Sequence, residues 1–200
     1  TYDYPGYWLG REYEHESELI ALRELLDRIA NIEKILEIGA GFGRLTPVYL
    51  HRAKKVILSD PSGKLLKAAS KRFKRQKKIE FLQCTLENLP KKIKKGSVDL
   101  AIIVRVVHHI NDLDRVFTVV SRLLKKNGYL ILEFANKKNL KAWLSEFFKG
   151  NFTFPIDIFP KDMRSQKSIK KKTLPFLNYH PDIMENKLKE YGFKILEKRS

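Results

Sequence analysis

Lys34-Ile35-Leu36-Glu37-Ile38-Gly39-Ala40-Gly41-Phe42-Gly43 is the stretch that decides the fold. A short apolar run carries an acid near its end, and G-x-G-x-G follows at once. A run of this length reads as a strand, and glycines directly behind it let backbone come close to a ligand. The dinucleotide fingerprint is G-x-G-x-x-G. Here Arg44 stands at the sixth position and the third glycine arrives one residue early. The stretch also serves as a plain strand-to-helix turn, so the rest of the chain has to decide.

Upstream, Leu19, Ile20, Leu22, Leu25, Leu26 and Ile29 recur at helical spacing between Glu14 and Ile32. Downstream, a helix is expected through about His51, then a strand Lys55–Ser59 closed by Asp60-Pro61. Ser62 is placed to cap a helix running to about Lys74. A third strand spans Ile79–Cys84, and Asn88-Leu89-Pro90 opens a Lys-rich loop. Val98–Val104 is a fourth strand, interrupted only by Asp99. A helix over Asn111–Lys125 ends at Asn127-Gly128, and Tyr129–Phe134 is a fifth strand. Lys138–Phe148 reads as a helix, residues 149–179 as irregular, Pro181–Tyr191 as a helix and Phe193–Glu197 as a last strand. Strands apolar on both faces, separated by helices, make an α/β fold: a doubly wound, mostly parallel sheet with helices on both faces.

In such sheets ligands sit at the carboxyl ends of the strands, at the switch point. The loops after Ile38, Ser59, Cys84, Val104 and Phe134 are therefore the ones to inspect. Asp60 ends the second strand, 17 residues after Gly43. A carboxylate there accepts both hydroxyls of an adenosyl ribose and repels a 2′-phosphate. An Asp before a Pro is also an ordinary turn residue.

Composition sets outer bounds. The 200 residues are 43% hydrophobic, enough to close a core despite a net charge of +17 from 40 basic and 23 acidic side chains. The longest apolar run, Leu100–Val104, is far short of a membrane span. The opening Thr1-Tyr2-Asp3-Tyr4-Pro5-Gly6 has no apolar stretch of signal-peptide type. One cysteine, Cys84, makes no internal disulfide, which suits a reducing, cytoplasmic setting. Basic runs at 71–78, 91–95 and 167–172 suit a solvated, Lys-rich surface, or RNA held through counterion release. Abundant Lys and Glu beside only three Gln also fit a heat-adapted protein.

Taken together, these pieces resemble the class I S-adenosylmethionine-dependent methyltransferases, and within them the broad type 11 family that includes ubiquinone and menaquinone biosynthesis enzymes. The resemblance runs from about Lys34 to Phe134. It is carried by Ile35–Gly43, Val56–Asp60, Leu86-Glu87-Asn88-Leu89-Pro90, Val98–Ala101, Val106–Ile110 and Leu123–Leu130. It implies a Rossmann-like methyltransferase fold over a single domain, 1–200. Residues 1–32 are an N-terminal lid and helix, and 33–136 the cofactor-binding core. Residues 137–179 are a helix and substrate-lid insert, with the insert near 149–179, and 180–200 a C-terminal helix and strand.

The resemblance also implies roles. Gly39, Ala40 and Gly41 border the methionine part of S-adenosylmethionine, and Glu37 orients that loop. Asp60 binds the ribose, Pro61 packs near the adenine, and Thr85 and Leu86 flank its edge. Thr85 stands where many relatives have Asp. The backbone around Arg105 touches the methionine end. Arg11 pairs with the methionine carboxylate, under an aromatic lid of Tyr7, Trp8 or Tyr13. His108 and His109 are the candidate bases for an oxygen or nitrogen acceptor; a structural role, one ring capping the next helix, is the plainer assignment for either. No metal is needed. In the insert, Phe152, Phe154, Phe159, Phe176 and Tyr179 with Lys161, Arg164 and Lys167–Lys172 suit an anionic or aromatic acceptor.

The expected function is methyl transfer to a small molecule. The alternatives are an RNA methyltransferase of the tRNA type and a non-catalytic cofactor-binding module. Base-amino chemistry lacks its motif, because Val104-Arg105-Val106-Val107 stands where Asn/Asp-Pro-Pro-aromatic is needed. Cytosine-C5 chemistry lacks its nucleophile, because Cys84 lies on another loop. An NAD-linked dehydrogenase is disfavoured by the early third glycine.

Overall fold

A computed structural model describes residues 10–171 and 173–199. The chain divides into two compact units, one reaching through Ile102 and taking in Leu124–Ile131, the other formed by Ile103–Leu123 and the residues from Leu132 onward.

The first unit is built on the sheet. Its strands are β1 (Lys34–Ile38), β2 (Lys55–Asp60), β3 (Ile79–Gln83), β4 (Val98–Ile103) and β5 (Leu124–Leu132), in spatial order β3-β2-β1-β4-β5. β1 and β2 run parallel, as do β2 and β3, and Ile38, Ser59 and Leu82 lie side by side in register. The loops after these three strands therefore leave from one edge. The order reverses between β1 and β4, which makes the end of β1 the switch point. Ile35 and Leu36, Val56–Leu58 and Leu100–Ile102 are buried, so successive residues are covered on both faces, as parallel strands require.

Helices fill the connections: α1 (Glu12–Asp27), α2 (Thr46–Tyr49), α3 (Gly63–Arg72) and the single turn α4 (Leu89–Lys92). Ser62 caps α3 as expected, its hydroxyl accepting from the Leu65 N–H at 3.3 Å. Asp99, the acid that interrupts the fourth apolar run, accepts from the Lys34 N–H at 2.8 Å and from Lys125 at 2.6 Å, tying β4 to the start of β1 and to β5. The fifth strand accordingly starts at Leu124, earlier than its apolar pattern suggests. The helix before it stops at Leu123, and Asn127-Gly128 lies inside the strand.

The second unit holds a 3-10 turn at Val107–His109, α5 (Leu113–Leu123), α6 (Leu140–Phe147), β6 (Lys161–Asp162), α7 (Gln166–Lys170), β7 (Leu177–Asn178) and α8 (Pro181–Glu190). Asp114 of α5 accepts from Lys187 (2.8 Å) and from the Tyr191 hydroxyl (2.9 Å), joining α5 to α8. Phe193 was expected to open a strand, but residues 193–199 form none. Its N–H closes α8 on the Leu188 carbonyl at 2.9 Å, and its ring meets Phe117. Backbone spent on a helix end is lost to a ladder.

Residues 149–179 are less irregular than their composition suggests. β6 and β7 form an antiparallel pair, and Arg164 grips both Asp162 oxygens. Two buried charges staple the segment. Lys137 is fully buried, and its Nζ donates to the Asp157 carbonyl (2.7 Å), the Asp157 carboxylate (2.9 Å) and the Phe159 carbonyl (2.8 Å). Glu146 is buried among Lys161 (2.5 Å), Lys149 (2.9 Å) and Asn151 (3.0 Å). Burial raises its carboxyl, but these hydrogen bonds outweigh that and hold it at about 2.

Candidate functional site

The loop behind β1 is held by backbone. The N–H groups of Gly39 (2.8 Å) and Ala40 (3.0 Å) both donate to the Ser59 carbonyl. Gly39 and Gly41 take φ of 74° and 57°, in the left-handed region that side chains other than glycine rarely adopt. The Gly41 N–H donates to Asp60 Oδ2 at 2.9 Å, and the Ser62 N–H to Asp60 Oδ1 at 2.7 Å. Each carboxylate oxygen of Asp60 is thus pinned by one backbone donor, fixing the side chain between the glycine turn and the start of α3. A carboxylate offers about four lone-pair positions, so acceptor capacity for two more donors remains. That is what a ribose diol needs. Burial pushes the Asp60 carboxyl up, against the two N–H bonds that stabilise its charge.

The third glycine has a different task. Gly43 lies at φ 74°, and a Cβ there would stand 2.5 Å from the Phe73 ring. Its early arrival is a packing requirement of α3 against the turn.

Glu37 is buried, and its carboxylate accepts from the hydroxyls of Tyr49 and, at 3.4 Å, Thr46. It therefore fixes the first turn of α2, while its own carbonyl accepts from Ser59 Oγ at 3.1 Å. Burial lifts its carboxyl to about 7, against the two hydroxyls and the neighbouring Arg44 charge. Arg44 is the residue sequence reasoning missed. It is buried beside the glycine turn, bonding His15 Nδ1 (2.6 Å) and the Glu18 carboxylate, and so ties α1 to the turn. The available signal was a lone Arg in an apolar stretch opposite an acidic helix.

Around the turn, Pro61 is exposed and its carbonyl accepts from the Gln83 side chain at 3.3 Å. Behind β3, the Cys84 N–H bonds the Asp60 carbonyl at 3.2 Å, which brings the third loop beside the second. Thr85 is exposed, its hydroxyl accepting from Asn88 (3.1 Å), and Leu86 is buried. Arg11, just ahead of α1, bonds Glu14 at 3.1 Å, and Tyr13 is exposed. Tyr7 and Trp8, expected in the lid, lie outside the described residues. Two members of the basic run at 71–78 have internal tasks: Arg72 donates to the Gly43 carbonyl (3.1 Å) and Lys78 to the Ala53 carbonyl (3.0 Å).

The second unit carries Arg105, His108 and His109. Arg105 follows β4 at φ 57°, a strained conformation for a residue with a Cβ. His108 is buried, with its ring centroid 4.1 Å from His109 and 4.6 Å from Phe176. Burial first, then the charges of His109 and Arg105, lower it to about 3. The imidazole is therefore neutral near pH 7. His109 Nδ1 lies 2.7 Å from the Pro175 carbonyl. A carbonyl only accepts, so Nδ1 carries a proton, which leaves Nε2 as the ring nitrogen for proton exchange. Of the aromatics expected to face an acceptor, Phe154 and Tyr179 are buried, while Phe152, Phe159 and Phe176 are exposed. Among the described residues no cluster of metal-ligating side chains is present, and no helix is long and apolar enough to cross a membrane.

Comparison with known proteins agrees with this fold. Residues 36–132 match the family model described as a methyltransferase domain. The chain is 28% identical over 166 residues to a ubiquinone biosynthesis O-methyltransferase of Pelagibacter ubique, covering 82% of this chain and 67% of that one. It is 30% identical over 145 residues to the mitochondrial ubiquinone biosynthesis O-methyltransferase of Bos taurus, covering 66% of this chain and 39% of that one. The chain thus spans from about two fifths to two thirds of these relatives. Among solved structures, a SAM-dependent methyltransferase from Thermotoga maritima superposes with a TM-score of 0.67 at 24% identity, over 96% of this chain and 77% of that one. Residues 36–132 are therefore a methyltransferase domain, and the chain has the fold of the S-adenosylmethionine-dependent methyltransferases.

Proposed function

We propose that this domain moves the methyl group of S-adenosylmethionine onto an oxygen of a small-molecule acceptor by in-line displacement. The observation that carries the reading is Asp60, held by two backbone N–H groups beside a left-handed glycine turn at the switch point of the sheet. When bound, the sulfonium supplies an activated methyl, so no metal is required. Asp60 would accept the two ribose hydroxyls, in bonds worth roughly 1.5–3 kcal/mol each. The backbone of Gly39–Gly41 would border the methionine part, and Leu86 with Thr85 the adenine edge. Glu37 and Arg44 keep the turn in shape from behind. The relatives named as O-methyltransferases support an oxygen acceptor. Such an acceptor must lose a proton, and His109 Nε2 is the lone pair suited to take it. His108, held near 3, is left with packing. An anionic or aromatic acceptor suits the exposed Phe176 and the lysines that precede it in sequence at 170–172, and the single cysteine suits a cytoplasmic setting.

Labelled methyl transfer to fractionated extract tests the acceptor. Label is expected in ribonuclease-resistant small molecules; label lost on ribonuclease treatment would move the acceptor to RNA. His109→Ala is expected to lower kcat by about 10²-fold or more. Full turnover in that variant removes the base.

A further inference from the structure

A cleft of about 450 Å³ opens between α1, α2 and the last residue of α3. Leu19, Leu26, Pro47 and Val48 give it an apolar wall. Its ionisable lining is basic except for Asp27. Part of that charge is already paired. Arg44 bonds His15 Nδ1 and the Glu18 carboxylate. Arg52 bonds the Asp27 carboxylate (2.9 Å) and the carbonyls of Leu26 (3.0 Å) and Ile29 (2.8 Å). These two ion pairs are neutral and need nothing further.

Arg23 and Arg72 are different. Both line the cleft and both are exposed. Among the described residues Arg23 makes no hydrogen bond or ion pair. Arg72 donates to the Gly43 carbonyl (3.1 Å) and stands over the rings of Phe42 (5.9 Å) and Phe73 (5.2 Å), so its charge meets no carboxylate. The cleft therefore carries two guanidinium charges that the described residues do not neutralise. A guanidinium fork matches the oxygens of a phosphoryl group, and two positive charges match a dianion. The volume falls within the range of small-molecule sites, so a phosphoryl group leaves room for an organic body on the apolar wall. We propose that this cleft binds a small phosphate monoester, its phosphoryl oxygens taken by Arg23 and Arg72 and its organic part set against Leu19, Pro47 and Val48. The proposal stands apart from methyl transfer, because none of these residues is assigned to the cofactor, the acceptor or the proton.

Calorimetric titration of the full chain with phenyl phosphate, in a phosphate-free buffer at neutral pH, tests it. Saturable binding is expected, tighter than that of inorganic phosphate. Arg23→Gln should weaken it at least about tenfold, as the loss of a charge-assisted contact does. Arg23 holds no other group in place, so the melting temperature of that variant should match wild type. Arg72 is kept, because it also holds the Gly43 carbonyl. Two controls locate the ligand. Lys74→Gln with Lys77→Gln, later in the same basic run, should leave the affinity unchanged, and saturating S-adenosylhomocysteine should not displace phenyl phosphate. No heat at millimolar phenyl phosphate, wild-type affinity in Arg23→Gln, or a loss as large in the lysine pair would each overturn the proposal. Displacement by S-adenosylhomocysteine, or inorganic phosphate binding as tightly as the ester, would do the same.

Discussion

The glycine turn and the 137–179 segment solve the same problem, fixing irregular backbone, in opposite ways. Around Gly39–Gly41 the work is done by main chain: Ser59 carbonyl and Asp60 carboxylate take N–H groups from the turn and from Ser62. In 137–179 it is done by side chains, with Lys137 gathering three oxygens of Asp157 and Phe159 and Glu146 gathering Lys149, Asn151 and Lys161. A backbone-held turn survives many substitutions that spare its glycines. A segment held by two buried charges loosens when either is removed, because each one joins groups from separate turns of the chain.

That contrast can be broken by substitution. Lys137→Ala should be the most damaging, lowering stability by about 3 kcal/mol. Hydrogen exchange should accelerate across residues 137–160 and leave β1 and β2 protected. If β1 exchanges just as fast, the stapling of 137–179 is not local. Gly43→Ala should cost about 2 kcal/mol, since it adds a Cβ 2.5 Å from the Phe73 ring at a left-handed φ. Trimming the ring in a Gly43→Ala, Phe73→Leu pair should recover part of the loss, and thermal melts would show it.

Acid separates the regions next. The Glu146 carboxyl is held below its unfolded value, so its contribution is present above pH 4.5 and is lost as pH falls toward about 2. Glu146→Gln should therefore cost about 2 kcal/mol at pH 7 and less at pH 3; a penalty independent of pH would contradict the ion pairing. Glu37 has the opposite sign. Its folded value is raised to about 7, so its contribution is full below pH 4.5 and fades as pH rises through 7. Denaturant titrations should find the wild type about 2 kcal/mol less stable at pH 8 than at pH 5, once other groups are subtracted using Glu37→Gln. A Glu37→Gln profile parallel to wild type would sink this.

Legibility in the sequence follows the same divide. Strand, turn and acid at 34–43 and 55–60 sit within a few residues of one another, so local pattern located β1, β2, the glycine turn, Asp60 and the Ser62 cap. All five strands of the sheet were readable as apolar runs between helices, β5 only from Tyr129 onward, because Leu124–Gly128 reads as the end of a helix. Lys137 was unreadable, because its acceptors are 20 and 22 residues away and a lysine in a Lys-rich chain looks like surface. The β6–β7 pair has two residues per strand, too few for a period. Phe154 looked like acceptor-facing surface and is instead buried beneath Lys137 and Lys161. The strand expected at 193–197 alternates only over Phe193–Ile195, and the Phe193 N–H is spent on the end of α8.

Calorimetric titration of S-adenosylmethionine into the wild-type chain and into Asp60→Ala tests the central claim. Saturable binding should appear in the wild type and weaken at least about 10²-fold in Asp60→Ala, matching two lost charge-assisted hydrogen bonds. Equal affinity in the two proteins, or no heat from either at millimolar ligand, would contradict it.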